Sequence, residues 1–426
     1  MQRAIYTFLF YLAVPAILLR LWWRARKSPG YGERIGERFG RVSPPANYDP
    51  RRKTVWIHAV SVGESVAAVP LVRGLLAHNP DLQIVVTTMT PTGSDRVREA
   101  MGDTVMHVYV PYDLPGSIRR FLKVFSPEIL ILMETELWPN IIQHCRQRDI
   151  KVILANGRMS ARSARSYKRF RSMTRNMMES IHMLFAQSLL DATRFKDLGA
   201  LETQVLVSGS LKFHVDVSSV GQQSIPLLDS IRASGCPVIV AGSTREGEES
   251  KVLTAYGQCL RQHPQTLLLL VPRHPERFES VTKLAQQQGY AVQRRSNSDS
   301  LASDTQVIIG DSMGEMLAYY SVAWVVFVGG SLVDTGCQNV LEPLALGRPV
   351  LIGPSQFNFA DICRTMEEEG ALLTVLNEQE LGAKFIDIIG SHHPREEMPR
   401  AGKRVIAQNQ DALPRVLAEI NAVLNA

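Results

Sequence analysis

The sequence has 426 residues, with 47 Lys or Arg against 41 Asp or Glu and a net charge of +6. Single cores rarely grow beyond about 250–300 residues, so the length predicts two domains. The 45% hydrophobic and 21% charged residues exclude a mainly disordered chain. Residues 1–53 carry eleven Lys/Arg and only three Asp/Glu, which concentrates the positive charge at the N-terminus. Because a nucleic-acid binder carries basic charge on its folded body, we expect no nucleic-acid partner.

The five cysteines are scattered and odd in number, and none forms a C-x-x-C pair. This pattern argues against a disulfide framework and against a structural zinc site. We therefore expect the protein to work in a reducing compartment.

The N-terminus is apolar from residue 4 to residue 19, and Trp22, Trp23 and a basic flank at 24–27 follow. A helix of twenty residues covers about 30 Å, so the segment is long enough for one membrane span or for a helix lying in the membrane interface. A cleaved signal peptide would need small residues where the tryptophans stand. We predict a membrane anchor with its basic flank over residues 1–27. If it spans, the positive flank places the C-terminal body on the cytoplasmic face of a membrane.

From residue 54 onward, short apolar runs alternate with helix-length segments, a pattern typical of parallel sheets built from βαβ units. The first half predicts strands at 54–60, 83–90, 105–111, 128–134, 151–157, 182–188 and 204–210. The second half predicts strands at 236–243, 266–272, 304–311, 322–330, 349–354 and 371–375.

In residues 211–235 the alternation of apolar runs and helix-length segments ends, and Ser, Gly, Gln and Pro become frequent. We predict an α/β protein with two Rossmann-like domains facing a cleft, over residues 28–215 and 236–426, joined by a linker at 216–235. The second domain would include helices at the C-terminus. Ligands of such folds bind at the carboxyl ends of the strands.

Several common motifs are absent. The sequence has no G-x-G-x-x-G after a strand, no P-loop and no H-E-x-x-H. It also has no D-x-D, so we predict no metal site and no bound cofactor.

Acidic residues follow two predicted strands of the first half. Glu64 lies in SVGES, where it either complements the dipole of a helix start or acts as a base. Glu134 and Glu136 lie in METELWPN beside Trp138, and a partly dry setting there would raise a carboxyl pKa. Lys212 in GSLKF lies at the domain junction, where a cation can stabilise developing negative charge.

The second half offers candidate phosphate-binding groups. Pro272 and Arg273 follow a strand in VPRHPERF, and three Gly- or Asn-containing motifs supply backbone N–H groups. We predict a nucleotide pocket that includes Met313, Gly314, Glu315, Gly330, Ser331, Asn339, Val340, Leu341 and Glu342.

A basic stretch without acidic residues runs from Arg158 to Arg175. It is either a solvated helix face or a surface for lipid head groups or a phosphorylated acceptor. We assign Arg158 and Arg162 to acceptor binding, together with Glu136 of METELWPN.

These motifs resemble those of the bacterial 3-deoxy-D-manno-octulosonate (Kdo) transferases over essentially the whole chain. The similarity includes HAVSVGE, TTMTPTGS, METELWPN, ANGRMSARS, GSLKF, VPRHPERF, GDSMGEM, FVGGSLV and GPSQFNF. One departure stands at Gln338-Asn339-Val340-Leu341-Glu342, where the family often has His-Asn-Pro-Leu-Glu.

The resemblance implies a GT-B glycosyltransferase that transfers Kdo from CMP-Kdo to lipid IVA, the lipid A precursor, with inversion and without metal. It implies that the N-terminal domain binds the lipid acceptor at the membrane and that the C-terminal domain binds CMP-Kdo. Glu64 then corresponds to the general base, and Glu134 and Lys212 correspond to residues that stabilise the transition state. Pro272, Arg273 and the residues around 313–315 and 339–342 correspond to the CMP pocket.

Two alternatives remain open from the residues alone. One is another membrane-associated GT-B enzyme that uses a UDP-sugar, and competition between CMP and UDP would separate the two. The other is a nucleotide-sugar epimerase, which would turn over its donor without an acceptor.

Overall fold

The computed structural model describes residues 2–26, 29–46, 48–215, 217, 220 and 224–425. The chain divides into two compact units. The first contains Met1–His214 and Asn409–Ala426, and the second contains Val215–Gln408.

The first unit is built on a parallel sheet of seven strands in the order β3-β2-β1-β4-β5-β6-β7. The strands are β1 (Thr54–His58), β2 (Gln83–Thr88), β3 (Met106–Tyr109), β4 (Ile129–Met133), β5 (Lys151–Gly157), β6 (Met183–Ala186) and β7 (Val205–Val207). Val55 of β1 pairs with Ile84 of β2 and with Ile129 of β4. Successive residues enter opposite cores, Val55 on one face of the sheet and Trp56 on the other. Burial on both faces explains why these strands read as continuous apolar runs.

Helices cover both faces of this sheet. They are α1 (Gln2–Ala25), α2 (Ile35–Arg38), α3 (Val62–His78), α4 (Pro91–Met101), α5 (Pro115–Phe125), α6 (Pro139–Arg146), α7 (Ala161–Lys168), α8 (Arg171–Ser180) and α9 (Leu189–Asp197). The basic stretch from Arg158 to Arg175 extends from the end of β5 over both α7 and α8.

The second unit repeats the same plan with strands in the order β10-β11-β9-β8-β12-β13-β14. Its strands are β8 (Val238–Thr244), β9 (Leu267–Pro272), β10 (Val292–Arg294), β11 (Val307–Ile309), β12 (Val325–Val328), β13 (Val350–Ile352) and β14 (Leu372–Thr374). Its helices are α10 (Pro226–Ser234), α11 (Glu249–Gln262), α12 (Phe278–Gln287), α13 (Met316–Ser321), α14 (Leu341–Ala345), α15 (Ala360–Glu368), α16 (Glu378–Gly390) and α17 (His392–Asn409). Ala241 of β8 pairs with Phe327 of β12 and with Leu270 of β9.

The structure corrects the predicted extent of the second domain. The final helix, α18 (Ala412–Asn425), belongs to the first unit. It packs on α3, with Leu413, Val416 and Ile420 in the core on that side of the sheet. Gly74 of α3 lies directly beneath Leu417, where any side chain would collide. The amphipathic pattern of a helix does not identify the sheet on which it packs, so the sequence could not assign α18 to the first unit.

Two other predicted segments, the linker and the basic flank, agree only in part with what the structure describes. Residues 226–234 of the predicted linker form α10, whereas most of 216–223 lies outside the described residues, as does Lys27 of the basic flank.

The N-terminal helix α1 is long and apolar enough to cross a membrane. In the structure it lies along the first unit and contacts it near both ends. At its start the backbone N–H of Met173 donates to Gln2 Oε1 at 2.9 Å. Near its end Leu21 packs with Tyr112 and Leu114.

The opposite side of α1 is exposed and apolar. Its exposed residues include Phe8, Leu12, Leu19, Trp22 and Trp23, each more than half accessible to solvent. An exposed apolar patch of this kind marks a surface that meets a membrane or a protein.

Candidate active site

In each sheet the chain starts in the middle, completes one side of the sheet, and then returns to build the other side; in the second sheet β11 lies between β9 and the edge strand β10. The return falls between β1 and β4 in the first unit and between β8 and β12 in the second. Loops at the carboxyl ends of such a strand pair diverge and leave a crevice, which is the usual ligand site of doubly wound sheets.

Glu64 lies at the first of these points, in the opening turn of α3. Ser61 caps this helix by accepting from the Glu64 N–H at 3.3 Å, and its hydroxyl donates to Glu64 Oε1 at 2.9 Å. The Val60 N–H donates to Glu64 Oε2 at 2.6 Å. These hydrogen bonds hold the carboxyl group at the helix start, which agrees with the interpretation of Glu64 as a residue that complements the helix dipole.

The environment of Glu64 differs from that of an ordinary helix cap in its burial and in the pKa of the carboxyl group. The side chain is buried, and this burial raises its pKa to about 8, with further contributions from the carboxylates of Glu136 and Glu134. A carboxyl group that titrates near neutral pH is suited to proton transfer.

Glu134 and Lys212 form an ion pair beside this carboxyl group. The Lys212 ammonium lies 2.5 Å from Glu134 Oε1, and both side chains are largely buried. Glu134 follows β4 with φ of +55°, an uncommon conformation for a non-glycine residue, and its N–H donates to Ala155 O at 3.0 Å. Lys212 is positioned by the preceding residue, because the Leu211 N–H donates to Asn156 Oδ1 at 3.0 Å.

Glu136 completes a cluster of three carboxyl groups. The Trp138 indole N–H donates to Glu136 Oε2 at 2.8 Å, and burial raises the pKa of Glu136. The partly dry setting predicted beside Trp138 is therefore present. His58, which the sequence analysis did not single out, packs edge-on against Trp138 with ring centroids 5.1 Å apart, and burial lowers the His58 pKa to about 3. The site thus holds a neutral imidazole against the ring that orients Glu136.

The two arginines assigned to the acceptor are exposed. Arg158 follows β5, and its carbonyl oxygen accepts from the Thr135 hydroxyl, which places its backbone beside the carboxyl cluster. Arg162 lies on the exposed surface of α7. The structure therefore joins Arg158 to the loop of Glu134 and Glu136 and puts Arg162 on the nearby helix.

The corresponding point of the second unit is organised by Glu248, a residue that sequence reasoning missed. This buried carboxylate accepts from the N–H groups of Gly330 at 2.7 Å, Ser331 at 3.0 Å and Leu332 at 2.8 Å. It also accepts from the Arg245 N–H at 3.0 Å. The N–H groups of Gly330 and Ser331, which we expected to face a ligand, are instead occupied. The reason is that a Gly-Ser loop needs its own partner inside the unit when it is buried.

Arg245 is the second residue that the motif search missed. It follows β8 at the same point of the sheet, and its guanidinium Nη1 lies 2.9 Å from His274 Nε2. Its Nε is buried without a hydrogen-bond partner in the described part of the chain, and burial lowers its pKa. The only signal in the sequence was an arginine directly after a Gly-Ser-Thr strand end, which has no established motif.

The remaining predicted pocket residues lie on loops at the same edge of the second sheet. Pro272 ends β9, and the Arg273 N–H donates to Thr244 O at 3.0 Å. Glu315 forms a two-bond ion pair with Arg295 at 3.0 and 3.1 Å. Next to it, Met313 is exposed and Gly314 has φ of +82°.

The Asn339–Glu342 motif forms the start of α14. Asn339 Nδ2 donates to Glu342 Oε1 at 3.0 Å, and Asn339 Oδ1 accepts from the Leu341 N–H at 3.1 Å. The side chains of Val340 and Leu341 are fully buried, so any ligand contact at these two positions would come from their backbone.

Known proteins supply the identity of the family. A family profile described as 3-deoxy-D-manno-octulosonic-acid transferase (kdotransferase) matches residues 33–215. The 3-deoxy-D-manno-octulosonic acid transferase of Haemophilus influenzae is 39% identical over 98% of this chain and 97% of that protein. The chain belongs to the Kdo transferase family. The protein of the same name from Bordetella pertussis is 35% identical over 98% of each chain. Membership makes this protein a glycosyltransferase that transfers Kdo.

Solved structures agree with the fold. A putative UDP-N-acetylglucosamine 2-epimerase from Listeria monocytogenes superposes with a TM-score of 0.50 over 87% of this chain and 96% of that chain, at 14% identity. At this identity the likeness concerns the fold alone, and it confirms the α/β GT-B architecture predicted from the sequence. The C-terminal CMP-Kdo binding domain of WaaA from Acinetobacter baumannii is 31% identical and covers 45% of this chain and 97% of that domain, with a TM-score of 0.41.

Proposed function

We propose that this Kdo transferase moves Kdo from CMP-Kdo to a hydroxyl group of lipid IVA, with inversion at the anomeric carbon and without a metal ion. Glu64 carries the proposal, because a buried carboxyl group with a pKa of about 8 lies at the first unit's ligand-binding edge beside an ion-paired lysine. Family membership supports CMP-Kdo as the donor.

Glu64 is the general base in this reaction. In its ionised form it removes the proton of the acceptor hydroxyl as the oxygen attacks the anomeric carbon and the bond to CMP breaks. Positioned proton transfer of this kind contributes typically 10²–10⁴-fold to rate. The capping hydrogen bonds from Ser61 and Val60 hold the carboxylate in one orientation, which reduces the reorganisation needed at reaction.

Glu134 and Lys212 stabilise the transition state as a pair. Cleavage of the glycosyl bond to CMP leaves positive charge on the sugar carbon and negative charge on the departing phosphate. A carboxylate and an ammonium fixed 2.5 Å apart offer one partner for each charge. A leaving group with a single phosphate needs less charge neutralisation than a diphosphate. Accordingly, we expect Lys212 to replace a metal ion, whereas Arg245 binds the carboxylate of the sugar.

The acceptor is recognised at the first unit. Glu136, Arg158 and Arg162 adjoin the carboxyl cluster or the helix next to it, and exposed arginines suit the phosphates of a bisphosphorylated lipid. In the second unit, the residues that bind CMP are Pro272, Arg273, Met313–Glu315 and Asn339–Glu342.

The protein acts at the cytoplasmic face of the inner membrane, with α1 lying in the interface. A helix of 24 residues is about 36 Å long and could span a bilayer. Its contacts with the first unit at both Gln2 and Leu21 favour an orientation along the membrane surface. The exposed tryptophans and the arginines near its end suit the head-group region.

The test is a product assay with purified protein, lipid IVA and CMP-Kdo generated in situ. Mass spectrometry should show lipid IVA heavier by one or more Kdo units, in the presence of EDTA as well as in its absence. Absence of transfer with a CMP-Kdo supply shown to be active contradicts the proposal. The anomeric configuration of the product, read by NMR, tests inversion separately, since retention would require a different mechanism.

A further inference from the structure

A large apolar cavity lies within the first unit between α1, the loop after β4 and α8. Its volume is about 860 Å³, within the roughly 300–1,000 Å³ typical of ligand pockets. Leu9 and Phe10 form one wall, Leu137 and Trp138 form the second, and Met177 forms part of the third. Nothing in the proposed chemistry of transfer uses this space.

The polar groups of the cavity wall already have partners within the protein. The Trp138 indole N–H donates to Glu136, and the Tyr167 hydroxyl donates to Thr135 O at 3.4 Å. The Tyr6 hydroxyl donates to the carboxylate of Asp113. Few donors or acceptors therefore remain for a polar ligand, and the cavity favours an apolar occupant.

The cavity connects two parts of the molecule that already have assigned roles. Its rim contains Ile5, Leu9 and Phe170, each more than half exposed, and the first two belong to the lipid-facing helix α1. Its inner end contains Glu136, whose charge contributes to the raised pKa of Glu64. A chain that enters from the membrane surface thus reaches the neighbourhood of the general base.

We propose that this cavity binds one acyl chain of the lipid acceptor while the acceptor hydroxyl lies at Glu64. The inference rests on the proposed function, because it takes the acceptor to be an acylated sugar. Arg169 at the rim adds a positive charge where the anionic head group would meet the chain.

Acyl-chain length then becomes a determinant of specificity. Each buried methylene contributes about 0.8 kcal/mol, which corresponds to about fourfold in affinity. Shortening the chain that fills the cavity lowers kcat/KM by that factor for each methylene lost, until the chain no longer reaches the inner wall.

A pair of tryptophan substitutions on α1 tests the proposal. Ala13 is exposed and lines the cavity, so Ala13→Trp fills its mouth without disturbing a core. Ala16 is equally exposed, lies one turn further along and does not line the cavity, so Ala16→Trp is the matched control. We expect Ala13→Trp to lower kcat/KM for lipid IVA about tenfold or more, to spare an acceptor analogue with short acyl chains, and Ala16→Trp to change neither. Equal effects of the two substitutions, or equal losses with long and short chains, would show a general membrane contact and overturn the proposal.

A binding measurement separates failure of this inference from failure of the proposed function. Trp138 lies in the cavity wall, so dibromostearic acid bound there should quench its fluorescence. The background protein carries Trp22→Phe and Trp23→Phe, because these exposed tryptophans on α1 also meet lipid. Saturable quenching should disappear with Trp138→Phe and weaken with Ala13→Phe but not with Ala16→Phe, because phenylalanine fills the same space without adding a tryptophan signal. No quenching alongside intact Kdo transfer refutes the cavity site, whereas saturable quenching without transfer to lipid IVA refutes the assigned acceptor.

Discussion

The two units can be compared at one point, the middle of each sheet, where β1 meets β4 and β8 meets β12. In the first unit this point holds the carboxyl groups of Glu64, Glu134 and Glu136. Burial raises the pKa of Glu64 and of Glu136 there. In the second unit it holds Arg245 and His274, with a buried carboxylate, Glu248, that binds only backbone.

This difference separates the effect of topology from the effect of residue type. The doubly wound sheet determines where a ligand can bind, and it does so identically in both units. The side chains in the loops differ between the units, and on the proposed function they select a hydroxyl that must lose a proton in one unit and an anionic sugar nucleotide in the other. The following predictions test whether catalysis and donor binding are separable in this way.

Glu64→Ala should cause the largest loss. Removing the general base is expected to lower kcat/KM by about 10²–10⁴-fold, with Glu64→Gln similarly impaired because its amide cannot accept the proton. CMP affinity, measured by calorimetry, should stay unchanged because this residue serves the acceptor. Near-wild-type turnover by either variant would remove the general-base role.

Lys212→Met and Glu134→Gln should each lower kcat by about 10²–10³-fold. Because the two groups act as a pair, the double variant should lose much less activity than the product of the two single losses. Rates of all four proteins at saturating donor complete this double-mutant cycle. Fully additive losses would mean that the two residues act independently.

Arg245→Met should raise the donor KM by about 10–100-fold, because a guanidinium that binds an anionic sugar typically contributes a charge-assisted hydrogen bond. CMP lacks the sugar carboxylate, so inhibition by CMP should change little, and Arg245→Lys should recover part of the loss. If CMP inhibition weakens as much as donor binding, Arg245 contacts the phosphate instead.

Glu248→Gln should destabilise the second unit by about 1–3 kcal/mol, because the amide presents donors to backbone N–H groups that need an acceptor. Urea denaturation followed by fluorescence of Trp324, which lies in that unit, measures the change. Glu246→Gln is the control, since Glu246 is an exposed neighbour of Glu248. Equal stability of the two variants would contradict the role given to this carboxylate.

The pH dependence of kcat/KM should report Glu64 in the free enzyme. A base with a pKa of about 8 is mostly protonated at lower pH, so the rate should rise with pH and level off above about 8. Glu136→Gln removes one of the negative charges that raise this pKa, and the profile should therefore move to lower pH. A profile that does not move would show that the two carboxyl groups are not coupled.

Much of the fold could be predicted because parallel strands buried on both faces leave a plain sequence signal. Among the strands of the described residues only β10 was missed, and its residues Val292–Arg294 are half-buried at the end of the sheet, so they form no apolar run. The assignment of α18 to the first unit was not predictable, because that packing joins residues far apart in the sequence.

The candidate site was predictable to a similar extent. Motifs at strand ends located Glu64, Glu134 and Lys212, but spacing alone could not show that the last two are ion-paired. Glu248 was missed because a carboxylate that serves buried backbone resembles any other helix-start acid in a sequence. The N–H groups of Gly330 and Ser331 donate to Glu248, and this too could be seen only in the three-dimensional structure.

The position of α18 also has a consequence for biosynthesis. Residues 409–425 leave the ribosome only after the whole second unit has been made, yet they complete the core of the first. Until then the apolar surface of α3 that receives Leu413, Val416 and Ile420 stays uncovered. The first unit is thus finished last, and active enzyme appears only from chains that have been synthesised through this helix.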